Sequence, residues 1–222
     1  MTSALRTFNT SPDTDKMIGA DTLSTLINLA GRQRMLSQRI ILNTILYTLG
    51  HEEAQGVAQE ALNLFENTHI SLVEGNRELP GIFSKELEAI YFGELQAESQ
   101  IRGFIQHARL ALSSLGSPGS TAQIDMLGQC ATPLVNLLNS ITQVYEAEAK
   151  QYTQRHQKQQ RELMDNIQQI TKQAKIISIN AKIIAARAGD AGKEFSVVAS
   201  VLTNITSELD ELIVIAMKNS LV

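Results

Sequence analysis

The sequence predicts an all-α protein: an antiparallel four-helix bundle whose last helix extends into a coiled-coil helical hairpin. The composition supports this class, because the 222 residues include four prolines, no tryptophan and abundant Leu, Ile, Ala, Gln and Glu. The C-terminal part provides a second observation. Apolar or small residues there alternate steps of four and three on both sides of a two-glycine turn, as in two helices that pack along one seam.

The bundle is predicted from apolar segments and from the breaks between them. A polar, Thr/Ser-rich stretch over residues 1–13 is expected to be a flexible N-terminal tail. Gly50 is a natural stop for the first helix, and residues 75–81 and 116–120 are loops by composition. The predicted helices cover residues 14–49, 51–74 and 84–115, the last mildly interrupted at Gly93 and Gly103, and a fourth begins near Thr121.

The fourth helix is predicted to continue into the hairpin. No glycine occurs between Gly128 and Gly189, and Pro133, the only proline of that stretch, predicts a kink. Residues 146–162 are rich in Gln and charge, which is typical of a solvated connector helix. We therefore place the bundle at 14–145 and the connector and hairpin at 146–222, with a tip near 189–192.

The hairpin is predicted to close along its apolar positions. Gly189 and Gly192 bracket a short turn, where a reversing chain needs positive φ or close backbone approach. Asp190 either caps the returning helix or is a charged loop tip. The predicted seam consists of Leu163, Ile167, Ile170, Ala174, Ile177, Ala181, Ile184 and Ala188, and of Phe195, Val198, Leu202, Ile205, Leu209, Leu212 and Ala216.

The residues around this turn carry a family likeness. Residues 173–199 have the sequence QAKIISINAKIIAARAGDAGKEFSVVA. This segment resembles the kinase-control tip of bacterial chemoreceptors, the methyl-accepting chemotaxis proteins. The resemblance implies a surface for the chemotaxis histidine kinase and its coupling protein, formed here by Ile177, Asn180, Arg187, Asp190, Lys193 and Val198.

Some positions depart from the chemoreceptor pattern. Ile184 replaces an acidic residue and Lys172 replaces an aromatic or apolar one. In the family, those two positions help receptor dimers to cluster as trimers. We therefore predict a small homodimeric receptor that does not join a large cooperative array.

The first helix carries a second signal, an arginine at a core-type position. One seam of this helix contains Leu23, Ile27, Ala30, Arg34, Ser37, Ile41 and Thr44. An uncompensated buried guanidinium would be destabilising. Arg34 therefore needs an acidic partner such as Glu98 or Glu146, a water-filled gap or a bound anion.

Residues 30–39, with the sequence AGRQRMLSQR, resemble the P-box of nitrate and nitrite sensor kinases and of PilJ-type chemoreceptors. The family domain is a four-helix bundle that dimerises and binds its ligand between its first helices. The resemblance implies a site for a small oxyanion of the nitrate class at Arg34, Gly31, Ala30, Ser37 and Arg39.

Other classes of function are not expected. The net charge of −4 does not favour nucleic-acid binding. No apolar run is long enough to span a membrane, so we expect a cytoplasmic protein. Cys130 is predicted to be a buried structural thiol, and the four histidines have polar or helix-surface contexts without ligand spacing. We expect no metal, cofactor or enzymatic activity.

Two hypotheses remain. In the first, the bundle senses a small anion and controls a chemotaxis-type histidine kinase through the hairpin tip. In the second, the protein is a ligand-independent dimeric scaffold or adaptor that binds coupling proteins.

Overall fold

The computed structural model describes residues 18–117 and 120–219, which form α-helices joined by turns and contain no strand. The all-α prediction is confirmed, and the predicted tail at 1–13 lies outside the described residues. Two compact units are present, Met1–Gln151 and Tyr152–Val222. The helices are α1 (Ala20–Thr48), α2 (Ala54–Val73), α3 (Lys85–Phe92), α4 (Ala97–Ser114), α5 (Ser120–Gln129), α6 (Ala131–Arg187) and α7 (Lys193–Asn219).

The first unit is a helical bundle around one apolar core. α1 packs against α2, and α4 packs against α2, α3 and α5. Each fully buried large apolar side chain contributes about 1.5–3 kcal/mol relative to exposure. The largest fully buried side chains of this core are Phe65, Phe104, Tyr91, Tyr145, Leu26, Leu36, Ile40, Leu62, Leu72, Leu87, Ile101 and Leu127.

The predicted third helix is divided into α3 and α4. Gly93 ends α3, and a Cβ there would lie 2.2 Å from the Ala89 carbonyl oxygen. Gln96 then adopts a left-handed backbone conformation with φ of 48° before α4 begins. The mild interruption predicted at Gly93 is therefore a complete break between two helices. It is visible only in the backbone contacts of the folded chain.

The predicted kink at Pro133 is replaced by a helix boundary. α5 ends at Gln129, and the Cys130 amide donates to the carbonyls of Met126 and Leu127. α6 begins at Ala131, so Pro133 lies in its first turn. The missing amide hydrogen of proline costs nothing there, because first-turn amides have no intrahelical acceptor.

The second unit is the helical hairpin, and its predicted seam is wrong by one residue. The buried positions are spaced by seven: Thr171, Ser178 and Ala185 on α6, then Gly192, Ala199, Thr206 and Ile213 from the turn onwards. Most large members of the predicted seam are exposed instead, namely Leu163, Ile170, Ile177, Ile184, Phe195, Val198, Ile205, Leu209 and Leu212.

Small and hydroxyl side chains explain this register. Ser178 Oγ donates to the Ala199 carbonyl at 2.6 Å and lies 2.7 Å from Thr203 Oγ1. Lys175 Nζ also pairs with Asp210 across the arms at 3.7 Å. The arms approach closely because small residues face each other, which leaves the branched apolar residues on the outside.

Within the described residues, no helix combines the length and apolarity that a membrane span requires.

Candidate anion site and signalling tip

Arg34 lies on α1 but not in the core. The fully buried position of that turn is Gln33, with an exposed fraction of 0%, whereas Arg34 is half-buried. The core-type placement predicted for Arg34 is therefore wrong. The reason is that the core-facing positions of α1 follow steps of three and four in the opposite order to the predicted seam, with Leu26, Gln33 and Ile40 buried. Gln33 therefore faces inward, and its Nε2 donates to the Phe65 carbonyl at 3.4 Å.

The partner of Arg34 is a neutral amide. Arg34 Nη1 donates to Asn139 Oδ1 on α6 at 2.7 Å. Among the described residues, no carboxylate forms an ion pair with Arg34; Glu98 pairs with His69 and Arg102, and Glu146 is exposed. The charge of the guanidinium is therefore not offset by a carboxylate among these residues.

The other predicted ligand residues are placed differently from one another. Gly31 lies beside Arg34, since a Cβ on it would be 3.4 Å from Arg34 Nη2. Ala30 and Ser37 are buried, and Ser37 Oγ donates to the Arg34 carbonyl at 2.8 Å. Arg39 is exposed. The structure thus brings Gly31 and Arg34 together, and places Ala30 and Ser37 in the packing beneath them.

Asn139 was missed by the sequence reasoning. It lies between Leu138 and Ser140, in a helix segment whose other positions supply core residues such as Leu137 and Ile141. A polar amide in such a segment was the available signal. Nothing local connects it with Arg34, which is 105 positions away.

α1 also presents an exposed apolar stripe next to Arg34. Met35, Leu42 and Leu49 follow each other at seven-residue spacing and are 57%, 57% and 70% exposed. Ile45, between the last two, is exposed as well. With Gly31 and Gln38, these positions alternate steps of four and three, the spacing of a coiled-coil seam. We call this set the α1 stripe.

The first unit contains one buried histidine, which corrects the prediction of surface positions. His69 is 1% exposed, and its Nε2 pairs with the Glu98 carboxylate, which also accepts from Arg102 Nε. Burial lowers the pKa of His69, and this effect outweighs the opposing influence of Glu98. No group of three or more His, Cys, Asp or Glu residues that could hold a metal occurs in the described part of the chain.

Cys130 is half-buried between α5 and α6, and burial raises the pKa of its thiol. Such a thiol carries little thiolate at neutral pH and is a poor nucleophile.

The hairpin tip is a tight 3₁₀ turn over Gly189–Gly192. Gly189 has φ of +60°, and a Cβ on Gly192 would lie 2.1 Å from the Ala185 carbonyl oxygen. Asp190 Oδ1 pairs with Lys193 Nζ at 2.7 Å, so its carboxylate acts inside the turn as part of a charged tip. All six predicted partner-binding residues are exposed: Ile177, Asn180, Arg187, Asp190, Lys193 and Val198.

Comparison with protein families gives two adjoining matches. Residues 19–126 match the family described as type IV pili methyl-accepting chemotaxis transducer N-term, or PilJ. Residues 122–212 match the methyl-accepting chemotaxis protein (MCP) signalling domain. The chain joins a PilJ-type sensing domain to a chemoreceptor signalling segment. Both likenesses predicted from the sequence are thereby confirmed, and together the two matches support a transducer of the chemotaxis type.

The PilJ-type match contains α1 with Arg34, whereas the signalling match contains Asn139 and the tip. Comparison with curated proteins and with solved structures gave no match.

Proposed function

We propose that this transducer senses a small oxyanion of the nitrate or nitrite class at Arg34 and controls a chemotaxis-type histidine kinase through the hairpin tip. The observation that carries the proposal is the pairing of Arg34 with the neutral Asn139. A guanidinium without a carboxylate partner has a positive charge that no neighbouring negative group offsets. It also keeps planar paired donors, which match planar oxyanions.

The proposed active form is a homodimer. The α1 stripe leaves three large apolar side chains more than half exposed at seven-residue spacing. Burying such a seam against the same helix of a second copy would remove this surface from water. Because Arg34 adjoins Met35 and Gly31 of the stripe, two guanidinium groups would then lie near one interface and favour an anion between them.

The proposed output is the exposed tip. Ile177 and Val198 are each 63% exposed on the two arms, and the charged Arg187, Asp190 and Lys193 are exposed at the turn. Protein-binding surfaces commonly combine exposed apolar and charged side chains. A coupling protein and the kinase are the partners that the signalling segment implies.

Titration calorimetry with nitrate and nitrite tests the input. The wild-type chain is expected to bind one of them, and Arg34→Ala should weaken binding by about tenfold or more, since hydrogen bonds to a charged group are worth about 1.5–3 kcal/mol. Arg32→Ala removes the same charge from an exposed position of α1 and should leave the affinity nearly unchanged. No heat from the wild-type chain with either anion would contradict the proposal.

Co-precipitation with the chemotaxis coupling protein tests the output. Arg187→Glu is expected to abolish capture, because it reverses an exposed charge at the tip. Arg161→Glu reverses an exposed charge on the same helix away from the turn and should leave capture intact. Equal capture by both variants would rule out docking at the tip.

The second candidate is a ligand-independent adaptor. It is favoured by the fact that Arg34 already has a partner in Asn139, so the site is hydrogen-bonded without an anion. Coupling-protein capture that is insensitive to nitrate, together with silent calorimetry, would support the adaptor.

A further inference from the structure

We infer that Asn139 is a second anion-binding residue and completes the site at Arg34. This inference rests on the sensing function proposed above. It starts from the contact between Arg34 Nη1 and Asn139 Oδ1 at 2.7 Å, which joins α1 to α6. Both side chains are half-buried, so the pair is held in place and remains reachable from solvent.

The chemistry of the pair fixes the orientation of the amide. A guanidinium has only donors, so the Asn139 carbonyl oxygen must face Arg34. The Asn139 amide nitrogen then points its two N–H groups away from that contact. No acceptor for them is found among the described residues.

The two side chains together form a set of N–H donors with a single positive charge. Arg34 uses one of its five donors on Asn139, and the described residues provide no acceptor for the others. A planar oxyanion presents several acceptor oxygens, and neutral amide donors add hydrogen bonds without adding charge. Such a site favours a nitrate-like anion over a halide of equal charge, because a halide lacks separate acceptor atoms.

The neutrality of Asn139 is the decisive property. A carboxylate at this position would pair with Arg34 in a charge-assisted bond and compete with any external anion. An amide positions the guanidinium and leaves the charge available. Asn139 also belongs to the helix that ends at the hairpin turn, so an anion held by both side chains would fasten α1 to α6.

Calorimetry with nitrate and chloride on a matched series of full-length variants tests the inference. Asn139→Asp is nearly isosteric and is expected to weaken nitrate binding by about tenfold or more. Asn139→Leu should lower the preference for nitrate over chloride. Asn136→Asp introduces the same charge at an exposed site one turn earlier on α6 and should change the affinity by no more than about twofold.

The melting temperature separates a binding role from a structural one. Asn139→Asp gains an ion pair with Arg34, so its melting temperature should stay at or above that of the wild-type chain while nitrate affinity falls. Wild-type affinity in Asn139→Asp, or equal losses in Asn139→Asp and Asn136→Asp, would overturn the role of Asn139 and leave the sensor proposal standing. No nitrate binding by the wild-type chain would overturn both.

Discussion

His69 shows how burial overrides local sequence context. Its neighbours along the chain include the polar Asn67 and Thr68, yet the side chain packs inside the first unit beside Tyr91. Glu98 and Arg102 of α4 complete a buried-to-surface chain of contacts that begins at His69. The sequence contains these residues, but only the packing of α2 against α4 brings them together.

This burial predicts an acid-sensitive stability. The pKa of His69 in the folded state lies below its ordinary value of 6.5. Below about pH 6.5 the unfolded chain therefore binds more protons than the folded one, and the free energy of unfolding falls as the pH is lowered. One proton limits this slope to about 1.4 kcal/mol per pH unit. Urea unfolding between about pH 7.5 and about pH 5 measures it.

His69→Gln should flatten that pH dependence, because an amide can still donate to Glu98 but does not titrate in this range. His51→Gln, at an exposed site, is the matched control and should leave the slope unchanged. An identical slope in the wild-type chain and in His69→Gln would assign the acid sensitivity to other groups.

Arg34 shows the limit of a motif. The P-box likeness singles out Arg34, but the helical period assigns the core position to Arg34 instead of to its neighbour Gln33. The partner of Arg34 could not be predicted, since Asn139 lies on a helix whose register against α1 depends on the whole bundle.

The hairpin arms show the same limit for a helix pair. Steps of four and three identify the helices, and the two glycines locate the turn at Gly189–Gly192. The pattern does not say which face meets the other arm. The arms meet through Ser178, Ala185 and Ala199, because small side chains allow the closest backbone approach.

Gly192→Ala is expected to destabilise the hairpin by about 1–3 kcal/mol. The new Cβ would lie 2.1 Å from the Ala185 carbonyl oxygen, so the turn would have to open. Urea unfolding followed by circular dichroism measures the loss, and limited proteolysis near the turn locates it.

Gly103→Ala is the control for that substitution. A Cβ at Gly103 of α4 meets no atom within 4 Å. Alanine should stabilise this helix by about 0.5–1 kcal/mol, because it has the higher helix propensity. A Gly192→Ala variant as stable as the wild-type chain would show that the turn relaxes at no cost.

Both units expose apolar faces that a monomer would leave in water. The α1 stripe is one, and the outward face of the hairpin, with Ile170, Ile177 and Ile184, is the other. Exposed apolar surface of this extent is typical of protein interfaces. The proposed homodimer would cover the α1 stripe with its own copy.

Leu42→Cys tests that arrangement by cross-linking. In a background with Cys130→Ser, which removes the lone natural cysteine, mild oxidation should give a covalent dimer of twice 24.4 kDa on a non-reducing gel. Parallel α1 helices would place the two copies of this position within the short distance that a disulfide needs.

Leu64→Cys in the same background is the control, because Leu64 is an exposed apolar residue of α2 outside the stripe. It should stay monomeric on the gel. Equal cross-linking of both variants, or none in Leu42→Cys, would exclude a parallel dimer through the α1 stripe.

The amino-acid sequence was sufficient for the helical class, the turn at Gly189–Gly192 and the two family likenesses. These features depend on the spacing of apolar residues, on the conformational freedom of glycine and on short motifs. Each of them involves residues that are close together in the sequence. The division of the third helix, the small-residue seam of the hairpin, the burial of His69 and the contact between Arg34 and Asn139 were decided by tertiary packing. Each depends on which faces of distant helices meet, and an apolar pattern shows only that a face will be covered.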